Sequence, residues 1–219
     1  MNISMLVPAL LAAAVSLLST AQAKLPAEAI APADAGYFEE QAPVETGKGW
    51  LALQRTEAGW ELVSSQLRSE AVKKTDERGR TSEGMKLTSD HPDALTLLRH
   101  PALRPGPVVT APLDFRSRHR PRDGVLNLAW KPTPYQLSER GLNVALSRGK
   151  TSQTIGQIKK VGDSEFHASL MWAGDLDRDG QLDLIVEFIA SDASEVCLYL
   201  SSPAARGRLL KKVSCWGSG

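Results

Sequence analysis

The chain has 219 residues, 42% of them hydrophobic, and sets 26 Lys and Arg against 25 Asp and Glu for a formal net charge of +1 at pH 7. That length allows one domain with a sizeable core or two small ones, and the balanced charge excludes the global basic field by which proteins attract nucleic acid. Beyond the N-terminal region no apolar run approaches the roughly 20 residues of a membrane-spanning helix.

Residues 1–23 read as an export signal. An apolar run over residues 5–18 precedes Ala21 and Ala23, so cleavage is expected after Ala23. The run is short for a membrane span, and no Cys follows it to carry a lipid. The mature chain would then be periplasmic or secreted. Residues 24–43, rich in Ala, Pro and Glu and without periodicity, read as a flexible leader. The ordered domain is expected over residues 44–219.

Residues 50–53 and 60–63 are apolar and flank Glu57-Ala58-Gly59, which predicts a hairpin whose second strand extends toward Val72. Residues 73–90 are polar, contain Gly79 and Gly84, and read as a long turn. Residues 91–101 read as one short helix capped near Asp90, and Pro105-Gly106-Pro107 breaks the chain after it. Strands are expected over residues 108–113, 125–130, 141–146 and 154–158, and then over 166–172, 182–188 and 196–200. The fold class is therefore mainly β: a single β-rich domain with few short helices and a C-terminal hairpin unit at 166–201.

That unit contains the sharpest chemical feature. Asp175, Asp177, Asp179 and Asp183 stand at positions 1, 3, 5 and 9 of a loop with Gly180 at position 6. Calcium needs six to eight oxygens, which alternate residues of a tight loop can turn inward while the glycine permits the sharp bend. The backbone carbonyl of Gln181, at position 7, would add another oxygen. An EF-hand needs a bidentate Glu at position 12, where Val186 stands here, and the flanking residues favour strands over helices. Magnesium and a metal-free acidic turn are the weaker alternatives.

Over residues 172–188 the chain resembles the D-x-D-x-D-G-x-x-D-[LI] hairpin of FG-GAP and VCBS repeats. The resemblance implies calcium held between two strands by four Asp side chains and one carbonyl. No second copy of the loop occurs, so a repeat array is not expected. The loop together with Leu198-Tyr199-Leu200-Ser201-Ser202-Pro203-Ala204 also resembles a group of secreted bacterial proteins, which implies no activity.

Cys197 and Cys215 would meet an oxidising compartment after export, where a disulfide is favoured over two separate thiols. Arg116, Arg118, Arg120 and Arg122 form a basic run able to grip an anion, or else a solvated loop. Gly162-Asp163-Ser164 opens like a serine-esterase block, but no later Asp-x-x-His answers it. His91, His100, His119 and His167 lack zinc-ligand spacing. Trp50, Trp60, Trp130, Trp172 and Trp216 suit core packing better than a sugar platform. These readings combine into an exported, calcium-stabilised, non-enzymatic binding or envelope-scaffolding protein, whose partner is a protein or an acidic envelope polymer and not nucleic acid. The alternative is a periplasmic enzyme with a dispersed active site.

Overall fold

The computed structural model describes residues 28–39, 45–75, 77–115, 119–121, 124–158, 167–189 and 194–218; the expected export signal lies outside them. Among the described residues there are strands and no helix. In chain order these are β1 (Ala29–Ala31), β2 (Asp34–Glu39), β3 (Gly47–Thr56), β4 (Gly59–Thr75), β5 (Thr81–Ser89), β6 (Thr96–Arg99), β7 (Gly106–Thr110) and β8 (Val125–Leu128). They continue with β9 (Tyr135–Arg140), β10 (Asn143–Arg148), β11 (Thr151–Gln157), β12 (His167–Asp175), β13 (Asp183–Ile189), β14 (Ser194–Leu200) and β15 (Lys211–Ser218).

The larger sheet has eleven strands along the path β1-β6-β3-β4-β7-β12-β13-β14-β15, with β5 branching from the far half of β4 and β2 pairing β5. Its ends return to one another. β1 lies against β15, and Lys211 Nζ stands 3.9 Å from Glu28 Oε1 across that seam. The result is a nearly closed, barrel-like sheet. The smaller sheet, β11-β10-β9-β8, packs against it through a shared core.

The β3–β4 hairpin forms where expected, turning at Glu57-Ala58 with Gly59 at φ 130°. β3 buries both faces because successive side chains point oppositely. Leu53 joins Leu62 and Leu98 in the main core, while Trp50 and Ala52 join Leu67, Leu87 and Leu97 in a second one. The same alternation corrects the helix expected over residues 91–101. Thr96–Arg99 is a strand between β1 and β3, which places Leu97 in one core and Leu98 in the other while pairing the backbone on both edges. Tertiary burial on two faces outweighs a weak local helix preference.

Two further expectations are corrected. The polar stretch 73–90 is the far half of a long hairpin, with β4 running to Thr75 and β5 returning from Thr81. It reads as loop in sequence because most of its side chains remain in solvent. Within the expected leader, Ala29–Ala31 pairs β6 and Asp34–Glu39 pairs β5, and Ile30, Ala31 and Ala33 are buried. β15, for which no strand was expected, pairs β14 and sets Cys215 opposite Cys197, to which it is bonded with Cα atoms 4.1 Å apart.

The two sheets share the main core, where Leu128, Leu137, Val144 and Leu146 meet Leu170, Trp172 and Phe188. Their approach is close enough that a Cβ on Gly156 would lie 2.3 Å from the Phe188 ring. Two buried polar side chains, of Tyr199 and Gln153, are matched across the gap. The Tyr199 hydroxyl donates to the Ile155 carbonyl at 2.9 Å. Gln153 donates to the Leu210 carbonyl at 2.7 Å and accepts from the Leu209 and Leu210 amides at 2.7 and 3.1 Å.

The two halves of the large sheet join through a short pairing of β7 with β12, Gly174 against Thr110 and Asp175 against Val109. A Cβ on Gly174 would stand 2.3 Å from the Val109 carbonyl oxygen and 2.4 Å from the Trp172 ring. Gly174→Ala must therefore part the two strands or displace Trp172, and should cost about 1–3 kcal/mol. Urea unfolding monitored by tryptophan fluorescence checks this, and an unchanged midpoint would show that the seam is loose.

Candidate functional site

β12 ends on Asp175 and β13 begins on Asp183, with Gly174 and Asp183 paired in the ladder. The loop between them is anchored at both ends by Leu176 and Leu182, each fully buried. Its bend needs two residues at positive φ, Arg178 at 64° and Gly180 at 82°. A glycine meets that demand without strain, and an arginine requires compensating contacts. Arg178 has them: Nη2 donates to the carbonyls of Pro105, Arg104 and Pro107 at 3.0, 3.3 and 3.4 Å.

The carboxylates fold inward on their own backbone. Asp175 accepts from the Asp179 amide at 3.0 Å and the Gly180 amide at 2.9 Å. Asp177 also accepts from the Asp179 amide at 3.3 Å, and Asp179 from the Gln181 amide at 2.7 Å. Asp183 receives the Leu176 amide at 2.7 Å on one oxygen, and the Ser201 amide and hydroxyl at 2.9 and 3.0 Å on the other.

One carboxylate oxygen each from Asp175, Asp177 and Asp183 lies within 4.8 Å of the others. Ligands 2.3–2.6 Å from a calcium ion can be up to about 5 Å apart, so these three fit one coordination shell. Asp179 stands outside that group, its second oxygen 2.8 Å from the Ser201 hydroxyl, whose one proton it shares with Asp183. The side chain of Gln181 turns to Arg148 Nη1.

Burial pushes the Asp183 carboxyl well above the usual carboxylate range, and the nearby charge of Asp177 pushes the same way. Asp175 is raised by burial and then by Asp179 and Asp177, against the lowering effect of the Gly180 and Arg178 amides. Crowded carboxylates of this kind need a proton or a cation.

Ser201 and Ser202 are the contributors that sequence reasoning missed. The β13–β14 register sets Leu184 opposite Tyr199, which carries Ser201 back beside Asp183, and the Ser202 hydroxyl donates to Asp177. Both serines fall within the 198–204 segment that resembles secreted bacterial proteins, but nothing in that resemblance gives them a role at a loop about twenty residues upstream. Trp130 Nε1 closes the outer side by donating to the Gly180 carbonyl at 3.3 Å.

Of the other candidates, Trp130 is the one described at this loop. Arg116, Arg118 and Arg122, and Gly162-Asp163-Ser164, lie outside the described residues, while Arg120 is exposed. His119 pairs with Leu170 in an isolated bridge and sets its ring on the Asp114 carbonyl at 2.8 Å. Trp50 and Trp172 are fully buried, and Trp60, Trp130 and Trp216 pack partly buried against the main core. Comparison with protein-family models, curated proteins and solved structures returns no match.

A carboxyl whose folded pKa is raised loses stability as pH climbs from its unfolded value, near 3.9, through its folded one, because the unfolded chain releases the proton first. In metal-free buffer the stability advantage of wild type over Asp183→Asn should therefore shrink as pH rises above about 4. Urea titrations of both proteins between pH 4 and 7 check the sign, and parallel curves would remove Asp183 as the source.

Proposed function

We propose that the chain is an exported binding or envelope-scaffolding protein whose fold is stabilised by calcium at Asp175, Asp177 and Asp183, with Asp179 and the Gln181 carbonyl completing the shell. The observation that carries this reading is the buried carboxylate of Asp183 set against those of Asp175 and Asp177 within 4.8 Å. A divalent cation there neutralises charge that burial otherwise penalises. The likeness of residues 172–188 to FG-GAP and VCBS hairpins supports the same ion.

The ion's role in this reading is structural. The loop oxygens also accept from backbone amides and from Ser201 and Ser202, so a cation among them ties the ends of β12, β13 and β14 together. Calcium supplies charge and coordination, and the chain's own residues supply a rigid frame. Export is supported by residues 1–23, and the facing Cys197 and Cys215 suit an oxidising compartment. The partner is an acidic envelope polymer or a protein, met by exposed basic side chains such as Arg120.

Binding to the native state alone adds RT ln(1 + [L]/Kd), about 2.7 kcal/mol at a hundredfold excess over Kd, or about 5–10 °C in Tm for a chain of this size. Melts in millimolar calcium and in EGTA should differ by that much. Asp177→Ala should abolish most of the shift and Asp179→Ala less of it. Equal melting temperatures in both buffers, with no heat of calcium binding, would overturn the proposal.

A further inference from the structure

A second polar site borders the acidic loop, whose Arg178 reaches its wall. A cleft of about 520 Å³ opens between β3, β4 and the segment after β6, lined among others by Lys48, Trp50, Asp90, Arg99, His100 and Arg104. Its size suits a small molecule.

Arg99 is the unusual member. It is only 8% exposed, and its guanidinium lies over the Trp50 ring at 4.4 Å. Nη2 donates to Glu45 at 3.3 Å, but Nε and Nη1 are buried and have no acceptor among the described residues. A guanidinium carries five N–H donors, and burying donors without acceptors costs free energy that an incoming acceptor returns. The Glu45 carboxylate, more exposed than Arg99 and touching one nitrogen, offsets only part of that cost.

Asp90, the acid lining the cleft, does not serve Arg99. It accepts from the Ser65 hydroxyl at 2.6 Å and the Gln66 amide at 2.9 Å. Lys48 and Arg104 add exposed positive charge at the rim. The wall at Arg104 and Pro105 is held in place by Arg178, which donates to both carbonyls.

We propose that this cleft binds a small ligand through an oxyanion group, a carboxylate or a phosphate, with Arg99 as the principal cation and Lys48 as the rim cation. The proposal rests on the reading of the chain as a binding protein and is independent of the calcium ion. Fork-shaped guanidinium donors match planar and tetrahedral oxyanions, and the stacked indole keeps the fork oriented.

Isothermal titration of the full chain with inorganic phosphate, glucuronate and uncharged glucose, each in calcium and in EGTA, tests it. Phosphate or glucuronate should bind while glucose does not, and whichever binds identifies the source of the oxyanion. Arg99→Gln should weaken binding at least tenfold. Lys48→Glu, on the exposed rim, should weaken it several-fold with an unchanged melting temperature, and it decides the matter if Arg99→Gln fails to fold. Absence of binding by both anions in both buffers, or equal binding by wild type and Lys48→Glu, overturns the cleft. Loss of the anion signal with calcium stabilisation intact overturns this inference alone, and anion binding without any calcium response overturns the calcium reading alone.

Discussion

At the start of β13 stands a carboxylate with no exposure to solvent, and the C-terminal half of the fold is arranged around it. Removing such a group from water costs several kcal/mol. Asp183 recovers part of this through two backbone hydrogen bonds, from the Leu176 and Ser201 amides, each worth about 1.5–3 kcal/mol when the acceptor is charged, and through a share of the Ser201 hydroxyl proton, which also faces Asp179. Desolvation and the neighbouring Asp177 still prevail, since the carboxyl is raised well above its ordinary range. The same bonds hold the end of β12 and the end of β14 to the start of β13, so the group that most needs a counter-charge is also the one that fixes three strand ends.

The acidic loop reaches beyond its own hairpin through Arg178. Its left-handed backbone aims the side chain out of the loop, onto the carbonyls of Arg104, Pro105 and Pro107. Those residues lead into β7, the strand that links β4 to β12. One side chain thus braces the junction between the halves of the large sheet and the wall of the Arg99 cleft. Gly106 shares in this, since a Cβ there would meet Arg178 Nη2 at 3.0 Å.

The strands were legible in the sequence where a sustained apolar run is bounded by turn residues, because such a run needs no knowledge of the partner. β3, β12, β13 and β14 belong to this class, and β12 and β13 are buried on both faces along nearly their whole length. The signal failed where the apolar run is short, as in the 4-residue β6, and where both faces are largely wet, as in β5 and the far half of β4. It failed also for β1, whose Ile30 and Ala31 acquire a core only because Leu97 and Leu98 are brought beside them.

By itself, the sequence determined the oxygen-rich loop, its glycine bend, the cysteine pair and the mainly β character, all of which depend on spacing within short segments or on composition. Tertiary structure alone decided that Asp179 stands apart from the group formed by Asp175, Asp177 and Asp183, that Ser201 and Ser202 back the loop, and that Arg99 is buried over Trp50 with donors to spare. The physical reason is distance along the chain. Arg99 meets Glu45 across 54 residues and Arg178 meets Pro105 across 73, and such contacts exist only once strand registers are set by burial of the core.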